Sequence, residues 1–203
     1  MTDDDAREPA APLQVYVIRH GQTAWSLSGQ HTGRTDIALT PHGEDEARTL
    51  EASLRGLAFS HVLTSPRQRA RQTAALAGLG AQATCEPDLA EWDYGDYEGL
   101  RSVEIRASRP GWNILRDGCP NGESPAQIAA RADRLVKALS ALTGNVAVFS
   151  HGHFGRCLAA RWIGIEIETV QHFLLGTACY GVLGYDPGHP DTRVIARWNI
   201  AAA

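Results

Sequence analysis

The chain reads as an α/β protein, a three-layer α/β/α sandwich around a mostly parallel central sheet. Three observations carry that reading. Two short runs, Val15-Tyr16-Val17-Ile18 and Val146-Ala147-Val148-Phe149, have the length and composition of strands buried on both faces of a parallel sheet. Between and around them lie segments of helical period, so strands alternate with helices. Each run also ends in a polar residue followed by His-Gly, as Arg19-His20-Gly21 and as Ser150-His151-Gly152. Residues at the carboxyl ends of such strands face the ligand crevice of an open sheet. If the two strands are neighbours, two imidazoles and an arginine meet in one pocket, and the glycines admit a ligand close to the backbone. Such a pocket suits a phosphate.

The other elements follow from caps and periodicity. Residues 26–40 are rich in Ser, Gly and Thr and read as a loop. Thr40 is a natural N-cap and Pro41 a natural first residue for a helix to about residue 55. His61-Val62-Leu63-Thr64 is a short strand, and Ser65-Pro66 repeats the cap-and-proline pattern to open a helix to about residue 76. Residues 82–85 suit an edge strand. The stretch 91–122 concentrates Trp, Tyr and Gly around a short helical pattern at 100–107 and reads as a lid or wall over a site, the lid segment being about 92–123. Ser124-Pro125 opens a long amphipathic helix whose Ile128, Ala132, Leu135, Val136, Leu139 and Leu142 recur at helical spacing. A helix at about 153–163 and strands near 179–185 and 193–198 complete the chain.

At 203 residues, one domain is expected over 13–203, preceded by a disordered tail at 1–12 that holds Asp3-Asp4-Asp5 and prolines but no apolar signal region. No apolar run approaches the length of a membrane span, so no membrane partner and a cytoplasmic location are expected. The net charge is −4 with dispersed basic residues, which argues against nucleic acid as a partner. Cys85, Cys119, Cys157 and Cys179 form no Cys-x-x-Cys pair and read as reduced thiols. No metal and no cofactor are implied: carboxylates do not cluster at ligand spacing, and His151 and His153 point apart if their segment is extended. Apolar edge strands near the C-terminus are candidates for pairing across a homodimer.

Four ordered motifs sharpen the reading: Arg19-His20-Gly21-Gln22-Thr23 with a Thr32-Gly33 loop ending in Leu39-Thr40; Thr64-Ser65-Pro66-Arg67-Gln68-Arg69-Ala70-Arg71-Gln72-Thr73; Glu91-Trp92-Asp93-Tyr94-Gly95-Asp96-Tyr97-Glu98-Gly99; and Ser150-His151-Gly152-His153. In these the chain resembles the histidine phosphatase superfamily, the phosphoglycerate-mutase-like fold, over nearly everything from 15 to 198. The resemblance implies His20 as nucleophile, attacking phosphorus through one ring nitrogen while the other donates to a backbone carbonyl that fixes the tautomer. Arg19 and Arg69 would present forks of donors to the phosphoryl oxygens, and His151 would add a donor, most usefully as imidazolium. Arg67 and Arg71, two positions either side of Arg69, read as surface residues.

Glu91 is the expected general acid and base, protonating the leaving oxygen and then activating water, with Asp93 and Glu98 as weaker choices. Burial beside Trp92 and Tyr94 near a phosphate dianion would favour its acid form. Gln22, Thr32 and the amides of Gly33 and Gly152 are candidates for holding phosphoryl oxygens or substrate hydroxyls. The family usually has Asn where Ser26 stands, so that role falls to a shorter side chain. His31, His42, His61, His172 and His189 have no motif company and read as surface or loop residues.

Only 59 residues separate Glu91 from His151, without the paired arginines of a mutase insertion, which favours net hydrolysis over phosphoglycerate mutation. The texture around Trp25-Ser26-Leu27-Ser28-Gly29-Gln30 and Trp112-Asn113-Ile114-Leu115-Arg116-Asp117-Gly118-Cys119 looks like the fungal sedoheptulose 1,7-bisphosphatase branch. By that resemblance Arg116 would bind a distal phosphate and Trp112 would wall the sugar; equally, Trp112 packs a loop and Arg116 pairs with Asp117. The partner implied is a small-molecule phosphate ester, a sugar mono- or bisphosphate. Rival readings are a phosphoglycerate mutase, a protein-phosphohistidine phosphatase, and a non-catalytic phospho-ligand module, the last disfavoured because nucleophile and acid are both present.

Overall fold

Six strands form one sheet: β1 (Gln14–Arg19), β2 (Phe59–Thr64), β3 (Ala83–Cys85), β4 (Asn145–Ser150), β5 (Cys179–Asp186) and β6 (His189–Ala201), in the order β3-β2-β4-β1-β5-β6. The structure, a computed structural model, describes residues 11–202; residues 1–10 of the expected tail lie outside the described residues. β1 to β4 run parallel, and β5 and β6 are antiparallel. The two strands that carry His-Gly are neighbours in register, Val15 opposite Val146 through Arg19 opposite Ser150. His20 and His151 therefore leave adjacent strand ends side by side, which is the condition the sequence reading required.

Alternate residues of β1 and β4 supply two cores, as buried parallel strands must. Val15, Val17, Val146 and Val148 pack with α6 (Pro125–Leu139) and α7 (Gly152–Trp162). Tyr16, Ile18, Ala147 and Phe149 pack with α2 (Pro41–Leu54) and α3 (Gln68–Leu76). Helices on both faces of the sheet make the three-layer sandwich. Among the described residues no helix is long and apolar enough to cross a membrane.

Helix starts follow local chemistry. The Thr40 hydroxyl accepts from the Gly43 amide with Pro41 at the first helical position, and Ser124 forms a reciprocal capping box with Gln127. Ser65 departs from expectation. α3 begins only at Gln68, without a side-chain cap, and the Ser65 hydroxyl instead accepts from the Arg67 amide (3.2 Å) and bonds His151. Two short helices, α1 (Ala24–Ser28) and α5 (Ile114–Asp117), fall in segments read as loop and lid. Neither is long enough to show a period; α1 is set by the Thr23–Ser26 capping box and a left-handed Gly29. β6 also extends well past the expected 193–198, because pairing with β5 orders residues whose own pattern is weak.

The 92–123 segment, which includes α4 (Ser102–Ser108), is packed as a wall. Trp92, Tyr94, Ile105, Trp112, Ile114 and Leu115 are buried in the same core as α6 and α7, and each large side chain so buried contributes about 1.5–3 kcal/mol. Arg131 of α6 clamps the wall's root. It pairs with Glu123 at 2.7 Å and donates to the carbonyls of Asp88, Ala90 and Glu91.

The loop after β1 is seated by mutual glycine contact. A Cβ on Gly43 would stand 2.1 Å from the Gln22 carbonyl oxygen, and one on Gly21 would stand 2.2 Å from that of Gly43. Gly43→Ala is expected to destabilise the protein by about 1–3 kcal/mol and to lower activity by displacing the backbone next to His20. Urea unfolding alongside steady-state rates measures both; wild-type values in each would show that the contact is dispensable.

Candidate active site

His20 leaves β1 almost fully buried, 5% exposed. Its Nδ1 lies 2.7 Å from the Gly21 carbonyl oxygen, and only an N–H can donate to a carbonyl, so the proton is on Nδ1 and the Nε2 lone pair is free. The ring of His151 stands 5.2 Å away, centroid to centroid. His151 is the residue preceding α7; its Nε2 is 2.7 Å from the Ser65 hydroxyl. Three buried nitrogens around this point have no hydrogen-bond partner: His151 Nδ1, Arg19 Nε and Arg69 Nε. Buried donors in proteins are nearly always satisfied, so the unpartnered guanidinium nitrogens leave donors free for an anion.

Each arginine is held by neutral groups. Arg19 donates to the Leu175 carbonyl (2.7 Å). Arg69, wholly buried, donates to the carbonyls of Thr35, Thr32 and Gly33 at 3.0, 2.9 and 3.3 Å. Backbone carbonyls orient a guanidinium without cancelling its charge.

Glu91, 8% exposed, faces the same cavity. Its seat is more polar than expected. Oε1 accepts from the amides of Trp92 (2.9 Å) and Phe154 (2.8 Å), and Oε2 from that of His153 (3.0 Å). Two of these donors belong to the first turn of α7, where the helix dipole favours negative charge. The alternative acids are engaged elsewhere: Asp93 pairs with Arg34, and Glu98 accepts from the amides of Gly33 and Thr35.

The cavity, about 270 Å³, is lined by Arg19, His20, Glu91 and Gly152, with Ser26, Thr32 and Tyr94 among the other predicted residues. Of those, Ser26 also closes the α1 capping box, and the Tyr94 hydroxyl bonds His153 Nδ1 at 2.7 Å. Other predicted residues are not on the cavity lining, and among them Arg69 and His151 are fully buried. Gln22 turns its side-chain oxygen to the Thr40 hydroxyl (2.9 Å), and the Gly33 amide is engaged by Glu98. Trp112 is buried and donates to the Gly118 carbonyl. Arg116 is exposed, bound to Asp117 through two nitrogens and to the Gly111 carbonyl.

His31 is a correction: it is no surface residue. It is 8% exposed and stacks on Tyr94 with ring centroids 4.6 Å apart. His31, His153, Trp25, Gln30 and Arg156 all line the cavity without having been singled out as substrate contacts; for His31 and Gln30 the available signal was their place beside Thr32. Arg67 is half-buried rather than a surface residue, whereas Arg71 is exposed. His151 and His153 do not alternate along an extended segment, because α7 begins between them.

The family model for the histidine phosphatase superfamily (branch 1) matches residues 15–200. The chain belongs to the histidine phosphatase superfamily. An acid phosphatase of Mycobacterium tuberculosis is 41% identical, over 86% of this chain and 88% of that protein. A sedoheptulose 1,7-bisphosphatase of Saccharomyces cerevisiae is 38% identical, over 79% of this chain and 71% of its own. The solved structure of a Mycobacterium tuberculosis open reading frame superposes with a TM-score of 0.86 at 38% identity, covering 94% of this chain and 98% of the other.

The histidine phosphatase site keeps its imidazoles neutral. Burial first, then Arg69 and Arg19, holds His20 well below the ordinary 6.5; burial and Arg69 do the same to His151. Imidazolium, the form expected of His151, is thus disfavoured in the free site. Burial, with Arg106 adding to it against Glu98, lowers His31 to about 4. The unfolded chain takes up that proton near 6.5, and the folded chain only near 4. Between these values the unfolded state binds more protons, so stability falls as pH falls, by up to about 1.4 kcal/mol per pH unit for each such histidine. His31→Phe is expected to make this fall shallower by the equivalent of one proton. Urea melts from pH 7 down to pH 4 give the slopes, and parallel slopes would mean that His31 titrates normally.

Proposed function

We propose that this histidine phosphatase is a metal-independent hydrolase of a small phosphorylated metabolite, a sugar mono- or bisphosphate, acting through a phosphohistidine at His20. The observation that carries the reading is the free Nε2 of His20 in a cavity that Arg19 and Glu91 also line, with unpartnered nitrogens of Arg19, Arg69 and His151 buried nearby. In the first step Nε2 attacks phosphorus, the ester P–O bond breaks, and Glu91, protonated by the entering phosphate monoanion or by the water of the previous turnover, delivers that proton to the leaving oxygen. In the second, Glu91 takes a proton from water, the water oxygen bonds phosphorus, and the P–N bond breaks to return the electron pair to His20. Arg19, Arg69 and His151 stabilise the equatorial oxygens throughout. Gly152, at the start of α7, lies against the Arg19 guanidinium and keeps it close to the backbone.

Hydrolysis is favoured over mutation because the segment joining Glu91 to His151 carries no long basic insertion. The cavity reaches solvent, its lining including the strongly exposed Leu174 (73%), so water has access to the second step. The likeness to a sedoheptulose bisphosphatase supports a sugar phosphate. Action in the cytoplasm is consistent with four free cysteines.

His20→Ala is expected to abolish phosphate release, and vanadate to inhibit by adopting the five-coordinate geometry of in-line attack. Activity is expected to survive EDTA, since guanidiniums supply the electrophilic assistance. Glu91→Gln is expected to slow an alkyl phosphate by about 10²–10⁴-fold, the worth of a general acid, and p-nitrophenyl phosphate far less, because nitrophenolate leaves unprotonated. Equal slowing of both substrates would remove Glu91 from the acid role. Conversion of 3-phosphoglycerate to 2-phosphoglycerate with little release would make the protein a mutase instead.

A further inference from the structure

Two guanidiniums near the site take no part in this chemistry. Arg106 of α4 and Arg156 of α7 line a second cavity of about 270 Å³, whose wall also includes Ser102, Trp112, Asn113 and Gln171. It adjoins the catalytic cavity, since His31, His153 and Arg156 line both. Arg156 is half-buried; it is anchored to the carbonyls of Gly152, Val170 and Phe173 at 2.9, 3.3 and 3.3 Å through Nε and Nη1, which leaves Nη2 without a partner among the described residues. Arg106 donates through Nε alone, to the Trp112 carbonyl at 3.2 Å.

The contrast with other arginines is in their counterions. Arg101, Arg116, Arg131, Arg134 and Arg161 each pair with a carboxylate. Among the described residues neither Arg106 nor Arg156 does. The imidazoles between them, His31 and His153, are neutral, held low chiefly by burial. Two fixed, uncompensated positive charges therefore face one concave space beside the reacting phosphate, and planar guanidinium forks match the oxygens of a phosphate.

We propose that this second cavity binds a second phosphate of the substrate, held between Arg106 and Arg156 while the scissile phosphate sits at His20. The assignment rests on the phosphoryl-transfer reading above and deepens it: the substrate is a bisphosphate whose two anionic ends lie in adjoining cavities. It also moves the distal-phosphate role away from Arg116, whose charge is already matched by Asp117. The shared chemistry of the subsite is an oxyanion, for which a carboxylate is the alternative source.

The test measures kcat/KM for wild type, Arg106→Gln, Arg156→Gln and Arg116→Ala with fructose 1,6-bisphosphate, fructose 1-phosphate, fructose 6-phosphate, 3-phosphoglycerate and p-nitrophenyl phosphate. A series of α,ω-alkanediol bisphosphates and matching monophosphates is added as inhibitors of p-nitrophenyl phosphate hydrolysis, so that the result does not depend on the sugar. Wild type is expected to favour the bisphosphate member of at least one pair by about tenfold or more, corresponding to 1.4 kcal/mol. Arg106→Gln, an exposed position where folding is not at stake, is expected to lose most of that preference through a raised KM or inhibition constant, and Arg156→Gln to lose it as well. The proposal is overturned if no bisphosphate outperforms its monophosphate, if Arg116→Ala rather than Arg106→Gln removes the preference, or if 3-phosphoglycerate outperforms every bisphosphate. Absence of His20-dependent release from p-nitrophenyl phosphate would instead overturn the phosphatase reading itself.

Discussion

The seat of Glu91 on the first turn of α7 is the constraint on which the site depends. One carboxylate accepts from the amides of Trp92, His153 and Phe154, and charge-assisted bonds of this kind contribute about 1.5–3 kcal/mol each. The same turn follows directly from His151, which follows directly from β4. Glu91, His151 and the strand that lies beside the proposed nucleophile His20 are thus joined as one unit. Arg131 holds the other side of the joint through the carbonyls of Asp88, Ala90 and Glu91, and its pairing with Glu123 satisfies a charge that would be costly to bury alone.

Around that unit the protein concentrates positive charge, with Glu91 the one carboxylate on the cavity lining among the described residues and none ion-paired with Arg19, Arg69 or Arg156. Arg19, Arg69 and Arg156 are anchored by backbone carbonyls. The acids that might have neutralised them bind amides or other arginines, as Glu98 and Asp93 do. Burial and these guanidiniums keep the imidazoles unprotonated. A neutral nucleophile is the useful form, since protonation would occupy the lone pair that attacks phosphorus. The cost is electrostatic strain in the free site, which the phosphate dianion of the proposed substrate would relieve on binding.

Much of the fold was legible because burial on both faces leaves an unmistakable mark on β1 and β4, and because Thr40-Pro41 and Ser124-Pro125 write helix starts in local chemistry. Short elements were not legible. α1 and α5 are held by caps and by packing, with too few residues for a period, and β6 is ordered by β5. The site divides in the same way. His20, Arg19, Arg69, Glu91 and His151 stand in ordered motifs; His20, Arg19 and Glu91 line one cavity, with the His151 ring 5.2 Å from His20 and Arg69 bonded to the Thr32 carbonyl of its lining. Gln22, Gly33 and Arg116 sit in or beside those motifs, yet Thr40, Glu98 and Asp117 claim their polar groups. His31 had only its place beside Thr32 to mark it and Arg156 no distinguishing pattern, yet both line the cavity.

By itself the sequence determined the class of fold, the starts of α2 and α6 and the residue types able to move a phosphoryl group, because those rest on periodicity, capping and motifs that are local in the chain. Only the tertiary structure decided which polar groups remain free. A hydrogen bond between residues far apart in sequence, such as Gly33 to Glu98 or His151 to Ser65, satisfies a donor or fixes a ring that no local pattern can distinguish from an available one. Binding chemistry depends on that remainder, and it is settled by packing.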